Sequence, residues 1–191
     1  MLDQIRKAFL DAGWFQSPGA YVLVDGQYGS TGKGALAALI AAACPGQVDI
    51  VTTNAGPNSG HTGFLPMQWV EDGDIGSQAA YWHDHGTDKI ITRQIPVLGV
   101  AANALWKTPP AIYLNGGAVI DCDVLRHEAF QYGVTRSQLA IHPCAAIIDA
   151  ECREDSLRGI ASTGKGVGAA IARKVMRNNN VAMNYPESLW C

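Results

Sequence analysis

The sequence predicts a single α/β domain in which helices flank a mostly parallel sheet. Short runs rich in valine and isoleucine end at glycine, as strands buried on both faces often do, and segments of helical character alternate with them. Three glycine-rich loops interrupt this alternation. The 191 residues suit one domain, since single domains commonly hold about 100–200 residues. We expect it to span 1–191, with residues 178–191 left as an unassigned tail.

The first elements predict a phosphate-binding unit. Residues 2–13 place Leu2, Ile5 and Phe9 at helical spacing, which indicates an amphipathic first helix. The run "AYVLVDG" predicts a core strand over 20–25. After a glycine-rich loop, "GALAALIAAA" is a strong helix former that stops at "CPG". The order strand, glycine loop, helix is typical of phosphate sites.

The later segments continue the same pattern. Strands are predicted in "VDIVTTN", "DKIITRQIP" and "AIYLNGG", and one or two more in "QLAIHPCAAIIDAE". A helix is predicted over 123–132, with Asp121 or Asp123 as its N-cap. A last helix follows in "ASTGKGVGAAIARKVMR", while the polar stretch 69–88 indicates an excursion or hairpin. In such a sheet the ligand loops lie at the carboxyl ends of the strands.

Composition argues against several classes of function. The net charge of −3 and a charged fraction of 16% give no footprint for nucleic acid or for an anionic membrane surface. No stretch of about 18 apolar residues offers a membrane span, and the amino terminus lacks the pattern of a signal peptide. We therefore expect a soluble, cytoplasmic protein. Five cysteines without C-x-x-C spacing predict buried free thiols rather than disulfides or a zinc site.

The first loop, "GQYGSTGKG" at 26–34, predicts a phosphate site. Its small residues let backbone N–H groups approach phosphate oxygens, Lys33 supplies positive charge, and a helix N-terminus follows. The loop differs from the standard P-loop G-x-x-x-x-G-K-S/T, because Gly34 stands where the Mg²⁺-binding hydroxyl would be. A generic P-loop ATPase or kinase is disfavoured for that reason.

The second loop, "NAGPNSGHT" at 54–62, places His61 among small residues after a strand, where an imidazole can donate to a developing oxyanion. The third, "STGKGVG" at 162–168, suits a second phosphate at a helix N-terminus. Behind it, Arg173, Lys174 and Arg177 predict an exposed basic face. His83 and His85 form an H-x-H pair, but a solvated loop is the favoured interpretation there.

Taken together and in order, five segments between residues 20 and 177 resemble the amino-terminal part of adenylosuccinate synthetase. They are "GQYGSTGKG", "NAGPNSGHT", "RQIP", "LNGGAVID" and "ASTGKGVGAAIARKVMR". The resemblance implies an α/β fold related to P-loop NTPases, a homodimer, and a ligase that joins L-aspartate to a purine nucleoside monophosphate. It also implies a nucleoside triphosphate as co-substrate and Mg²⁺.

The resemblance assigns site residues at matching positions. The implied catalytic residues are Ser30, Lys33 and His61, and Mg²⁺ would be held by Ser30 and Gly60. The implied triphosphate-binding residues belong to the first two loops: Gly29, Ser30, Thr31, Gly32, Lys33, Gly34, Gly60, His61 and Thr62. The implied substrate-binding residues are Asn58, Ser59, Asn115, Ser162, Thr163 and Arg177, the last reaching across a dimer interface.

Ser30 is the position where this sequence departs from the mainstream family. An aspartate that removes the N1 proton of IMP stands there in the resembled enzyme, and serine is a much weaker base. Serine leaves room for the 2-amino group of guanine, and the same serine marks a phage branch that ligates aspartate to dGMP with ATP or dATP. We expect that activity, in the host cytoplasm if the protein is phage-encoded.

Two alternatives stay open. One is ligation of IMP with GTP, and the other is a shortened or inactive relative that binds nucleotides without ligation. Members of the resembled family are longer than this chain, and the parts that hold aspartate and the base of the triphosphate follow the matched segments in that family.

Overall fold

A computed structural model describes residues 1–24, 26, 31–65, 89–157 and 164–185. The chain divides into two compact units. The first comprises Met1–Asp49, His61–Ile91 and Val97–Pro110, and the second comprises Ile50–Gly60, Thr92–Pro96 and Ala111–Cys191. A single domain over 1–191 stays a prediction. The predicted excursion at 69–88, with its histidine pair, lies outside the described residues.

In the part that the structure describes, helices and short strands alternate. The helices are α1 (Leu2–Asp11), α2 (Lys33–Ala43), α3 (Val97–Leu105), α4 (Cys122–Gln131), α5 (Ala150–Leu157) and α6 (Val167–Val175), with a 3₁₀ turn at Ala182–Asn184. The strands are β1 (Ile50–Thr53), β2 (His61–Phe64), β3 (Lys89–Thr92), β4 (Ala111–Leu114), β5 (Val119–Ile120), β6 (Leu139–Ile141) and β7 (Ala146–Ile147).

The first unit is built around α2, which is rich in alanine and packs closely on α3 and β2. Small side chains such as Ala38 and Ala41 are fully buried, which lets the backbones of these elements approach each other. The indole nitrogen of Trp106 donates to the carbonyl oxygen of Ala41 at 2.7 Å and so holds the last turn of α2. β2 pairs with β3 in a two-stranded sheet.

The predicted core strand over 20–25 is wrong for residues 20–24, and Asp25 lies outside the described residues. No strand forms there, and the side chains of Val22 and Val24 are about three quarters exposed. Local aromatic contacts hold the segment instead. The Tyr21 ring stacks on Trp14 with centroids 5.7 Å apart and meets Phe15 at 5.1 Å.

The second unit contains the predicted parallel sheet. Its strand order is β1-β4-β6, with Ile50 opposite Ala111 and Ile112 opposite Leu139. β5 and β7 form a second parallel pair. Because parallel strands end at the same edge, the chain leaves β1, β4 and β6 for three neighbouring loops, which begin at Asn54, Asn115 and His142.

The two candidate caps of the predicted helix over 123–132 behave differently. Asp121 is the N-cap of α4, and its side chain accepts the backbone N–H groups of Asp123 and Val124 at 3.1 and 3.3 Å. Asp123 lies in the first turn and forms an exposed pair with Arg126. Part of the unassigned tail also has structure, since Val181 bridges to Ala146 and Ala182 is buried.

Among the helices in the described ranges, none has both the length and the apolar character needed to cross a membrane.

Candidate functional site

The first glycine-rich loop leads into the N-terminus of α2. Gly32 is the N-cap of this helix in the left-handed region, with φ at 83°, and, having no side chain, makes no capping hydrogen bond. The first N–H groups of a helix lack intrahelical acceptors and carry partial positive charge. Lys33 is the first residue of α2, so its ammonium adds a full charge near the same end. This arrangement suits phosphate, and Thr31, Gly32, Lys33 and Gly34 stand at that end. Gly29 and Ser30 lie outside the described residues.

Gly34 has a structural reason to be glycine. A β-carbon there would sit 2.7 Å from the carbonyl carbon of Thr62 in β2. Gly63 repeats the constraint from the strand side, since its β-carbon would meet Val97 at 2.5 Å and Ala38 at 3.2 Å. The hydroxyl residue of a standard P-loop is therefore sterically excluded from position 34, which accounts for the unusual loop sequence.

His61 begins β2 in the same unit as Lys33. Its Nε2 atom is buried and has no hydrogen-bond partner in the described part of the chain. Burial lowers the pKa of His61, and the positive charge of Lys33 lowers it further. The imidazole is therefore neutral near pH 7, with one unsatisfied nitrogen. A buried unpaired polar atom costs free energy, so a ligand atom at Nε2 would relieve that cost.

Residues 54–60 of the second loop lie in the second unit and fold back on themselves. The backbone N–H of Ser59 donates to the Gly56 carbonyl at 3.0 Å. The Ser59 hydroxyl is placed between two acceptors, the carbonyl oxygens of Gly56 at 2.6 Å and Arg93 at 3.1 Å. Pro57 is buried beneath the turn, whereas Asn58 and Gly60 are exposed. The predicted substrate-binding residues Asn58 and Ser59 thus lie in an accessible turn, which hydrogen bonds of Ser59 hold in place.

Asn115 follows β4 at the carboxyl edge of the sheet, as predicted. Its Oδ1 accepts the N–H of Gly117 at 2.8 Å, which shapes the turn. Two residues that sequence analysis did not assign lie beside it. The ring of His142 packs against Gly116, and the Lys174 ammonium donates to the Gly116 carbonyl. The position of His142 directly after a parallel strand could have been recognised from the sequence. The position of Lys174 could not, because it depends on the packing of α6.

The third loop resembles the first in its geometry. Gly166 is the N-cap of α6 in the left-handed region, with φ at 78°, and, again having no side chain, makes no capping hydrogen bond. The Gly166 N–H donates to the Ser156 hydroxyl at 2.9 Å. Val167 contacts the second loop, because a β-carbon on Gly56 would lie 3.6 Å from its methyl groups. The second and third loops therefore adjoin within this unit. Ser162 and Thr163 lie outside the described residues.

The predicted exposed basic face on α6 is correct only in part. The side chain of Arg173 is 19% exposed and pairs with Glu151 and Asp155 at 2.8 and 2.9 Å. Lys174 is partly buried at the sheet edge. These two residues are held inward because α6 packs on α5 and on the β4–β5 turn. Arg177 is exposed, as predicted.

Arg177 adopts a strained backbone conformation. It follows the last turn of α6 with φ at 60°. The N–H of Arg177 donates to Lys174 and that of Asn178 donates to Arg173, both at 2.9 Å. This hydrogen-bond pattern is a Schellman motif, in which glycine is the usual residue at the left-handed position. An arginine there costs backbone energy, and such strain is concentrated at functional sites in proteins.

Within the described ranges, no group of three or more His, Cys, Asp and Glu side chains is arranged to hold a metal ion. The oxygen donors implied for Mg²⁺ fit it in kind. Magnesium at nucleotide sites commonly takes one or two protein oxygens and completes its shell with phosphate and water. A carbonyl such as that of Gly60 and a hydroxyl such as that of Ser30 belong to that class.

Comparison with known proteins was made at the level of sequence and of structure. No protein-family model matches the sequence. The chain is 34% identical over 159 residues to N6-succino-2-amino-2'-deoxyadenylate synthase of Cyanophage S-2L, covering 82% of this chain and 37% of that protein. Adenylosuccinate synthetase of Thermococcus onnurineus (strain NA1) is 26% identical over 176 residues, which are 88% of this chain and 44% of the archaeal protein.

A solved structure is similar as well. It is the succinoaminodeoxyadenylate synthetase (PurZ) of Cyanophage S-2L, bound to dGMP and to dATP as an energy donor. The match has a TM-score of 0.61 at 29% identity and covers 85% of this chain and 40% of that one. The chain thus spans about two fifths of the length of these relatives.

Proposed function

We propose that this chain acts as an aspartate ligase on a purine nucleoside monophosphate. The proposal follows from its homology to the phage and archaeal members of the adenylosuccinate synthetase family. The substrate is dGMP, and ATP or dATP supplies the phosphoryl group. The observation that carries the proposal is 34% identity to a phage N6-succino-2-amino-2'-deoxyadenylate synthase over four fifths of the chain. The family resemblance of the three loops points the same way.

The chemistry needs an activated leaving group at C6 of the purine. The C6 carbonyl oxygen is first phosphorylated by the triphosphate, and the amine of L-aspartate then displaces phosphate. Lys33 and the N-terminus of α2 would spread the negative charge of the phosphoryl group in transit. Mg²⁺, held by the Gly60 carbonyl and the Ser30 hydroxyl, would add positive charge at the phosphates.

His61 would act at the purine oxygen. Its imidazole is neutral because burial and Lys33 both lower its pKa. A neutral imidazole protonated at Nε2 can donate to the C6 oxygen as negative charge develops there. The unpaired, buried state of Nε2 supports this role, since the ligand supplies the missing partner.

The monophosphate would bind at the third loop. The N-cap of α6 is a glycine, and Ser162 and Thr163 precede it in sequence. Arg177 would reach the same phosphate from a second copy of the chain, as the family resemblance implies for a homodimer. Asn58, Ser59 and Asn115 would contact the nucleoside.

Ser30 selects the base in this proposal. Aspartate at that position would crowd a 2-amino group beside N1, whereas a serine hydroxyl is small and can accept a hydrogen bond. The match to an archaeal adenylosuccinate synthetase favours a second candidate, ligation of IMP with GTP. A third candidate is nucleotide binding without ligation, which the phosphate-binding geometry of the loops alone would permit.

Phosphate release from the 191-residue chain tests the proposal. The reaction contains Mg²⁺ and either ATP or GTP, with and without L-aspartate, and compares dGMP, GMP and IMP. Aspartate-dependent release that is fastest with dGMP is the expected result. Release that is fastest with IMP and GTP would favour the second candidate. Nucleotide-dependent thermal stabilisation without any release would favour the third.

A further inference from the structure

Glu128 is a buried carboxylate that gathers three consecutive backbone amides. It lies on α4, and the residue is only 4% exposed. Its Oε1 accepts the N–H of Arg93, and its Oε2 accepts those of Gln94 and Ile95 at 3.0 Å each. One side chain thereby fixes the turn 93–95 that follows β3.

The side chain of Gln94 ties the same turn to α4 a second time. Its Nε2 donates to the Asp121 carbonyl at 2.9 Å, and its Oε1 accepts the Asp121 N–H at 2.8 Å. Both residues are buried. The turn 93–95 and Asp121, the N-cap residue of α4, are therefore held together by hydrogen bonds.

Arg93 connects the turn 93–95 to the second loop. Its backbone carbonyl oxygen lies 3.1 Å from the hydroxyl of Ser59, and its Nη1 lies 3.4 Å from the carbonyl oxygen of Pro57. Because Glu128 accepts both the Arg93 N–H and the Gln94 N–H, it fixes the peptide units on either side of Arg93, and the Gln94 N–H lies in the same peptide unit as the Arg93 carbonyl. The turn at 57–59 then rests on a carbonyl whose direction is set from α4.

The three backbone N–H groups account for a buried carboxylate at this position. Burial raises the pKa of Glu128, while the amides of Ile95, Gln94 and Arg93 and the charge of Arg93 oppose the rise. An apolar side chain would avoid the desolvation cost but would leave all three N–H groups without this acceptor, and a neutral amide offers one acceptor oxygen in place of two. A carboxylate is the side chain that can accept all three.

We infer that Glu128 is a positioning residue for the Asn58–Gly60 turn, acting through Arg93. For its catalytic consequence this inference rests on the proposed function, in which that turn contacts the nucleotides. Its structural content stands on the contacts alone. Loss of the carboxylate releases residues 93–95 and, with them, the support of the second loop.

Hydrogen exchange of the full chain without nucleotide tests the structural content. Glu128→Gln keeps the side-chain shape but puts an NH₂ group where an acceptor was. Amides in peptides covering 93–95 and 56–60 should exchange at least about tenfold faster than in the wild type, because exchange reports local opening. Glu154→Gln, an exposed Glu on α5 of the same unit, is the matched control and should change neither peptide. Faster exchange at 93–95 with no change at 56–60 would overturn the inference.

Ser59→Ala provides a second test if Glu128→Gln does not fold, which a thermal melt reveals. This change removes the hydroxyl between the second loop and Arg93. It should speed exchange at 56–60 and leave 93–95 protected, because Glu128 still holds that turn. Unchanged exchange at 56–60 would contradict the proposed link.

Kinetics test the consequence. Glu128→Gln should lower kcat/KM for the monophosphate by about 10- to 100-fold, since small misplacement of a binding loop has effects of that size. The loss should appear mainly in KM, because the turn contributes binding contacts to the monophosphate. A wild-type chain without ligase activity would count against the proposed function, while the exchange result would still decide the positioning role.

Discussion

Helices α1, α4 and α6 end in the same hydrogen-bonded motif, but the residue at the left-handed position is glycine after the first two and arginine after the third. After α4 that residue is Gly133, with φ at 62°, and its N–H donates to Phe130 while that of Val134 donates to Ala129. After α6 it is Arg177, with φ at 60°. The fold alone would favour glycine after each of these helices, so Arg177 costs backbone energy, which its proposed contact with phosphate would explain.

Arg177→Gly should therefore separate stability from binding. We expect the free energy of unfolding to rise by about 0.5–1 kcal/mol, because the left-handed conformation costs glycine little. The Kd for dGMP should rise at least about tenfold, since a charged hydrogen bond to phosphate is lost. Urea unfolding and calorimetric titration measure the two quantities. Gly133→Arg is the converse control and should destabilise without affecting binding; weakened dGMP binding in that control would undermine the comparison.

His61 should make stability depend on pH. Its folded-state pKa lies below the ordinary value of about 6.5, so the unfolded chain binds the proton more readily. Stability is then complete above about pH 6.5 and declines as the pH falls toward the folded-state pKa. His61→Gln should reduce that decline, measured as the difference in urea midpoint between pH 7.5 and pH 5.5. An identical decline in both proteins would show that other groups cause it.

At the scale of elements, the close approach of α2 to β2 determines which residues can begin the helix. Gly34→Ala would place a methyl group against the Thr62 backbone, and we expect a loss of about 1–3 kcal/mol, typical of overpacking. Gly168 is the matched control, because it is likewise the second residue of a helix but has nothing within 4 Å of the added carbon. Gly168→Ala should be neutral or stabilising by up to about 1 kcal/mol. Equal effects in thermal or urea unfolding would refute the packing explanation.

The cap of α4 offers a second contrast between matched residues. Asp121 caps the helix and pairs with Arg153 at 2.8 Å, with a side chain that is 10% exposed. Asp123 is largely exposed. Asp121→Ala should cost about 1–3 kcal/mol, because it removes the cap and leaves Arg153 without its main partner. Asp123→Ala should cost less than about 1 kcal/mol, as for surface pairs. A larger loss in urea unfolding for Asp123 than for Asp121 would contradict the assignment of the cap.

The elements that sequence reasoning predicted are those with a local signal. α1 has an amphipathic period, α2 is rich in alanine, β1 is a run of β-branched residues, and β4 is a short apolar run between Pro110 and Asn115. α3 was missed because it is apolar on every side, with seven of its nine residues buried, so no helical period is visible. The strand predicted at 20–25 had the right composition, but no strand forms at 20–24, where local aromatic contacts hold the chain.

The candidate site likewise contains some residues whose positions the sequence predicts and others whose positions it does not. The position of Lys33 follows from a glycine-rich loop before a strong helix former, and that of Asn115 from the end of a strand, and a sequence reveals both. His61 was predicted to lie in a loop, whereas it begins β2, a strand that sequence reasoning did not predict. The sequence does not reveal the support beneath the second loop, because Glu128 meets Arg93 across 35 residues of chain. A buried glutamate on a helix carries no sequence pattern that distinguishes it from a solvated one.

At the scale of the whole molecule, each unit contributes a helix N-terminus behind a glycine-rich loop, α2 in the first and α6 in the second. Two such ends suit two phosphorylated ligands, as a reaction between a monophosphate and a triphosphate requires. The PurZ structure that resembles this chain is bound to two nucleotides, dGMP and dATP. We therefore propose that this chain acts as a ligase and that Ser30 determines which purine it uses.

Competition between dGMP and IMP tests that claim most directly. Equal concentrations of both, with L-aspartate, Mg²⁺ and ATP, are incubated with the wild type and with Ser30→Asp, and the two aspartate adducts are quantified by mass spectrometry. We expect the dGMP adduct to exceed the IMP adduct in the wild type. Ser30→Asp should shift the ratio toward IMP by at least about tenfold, the effect of a few well-placed polar contacts. An unchanged ratio, or no adduct from either nucleotide, would contradict the claim.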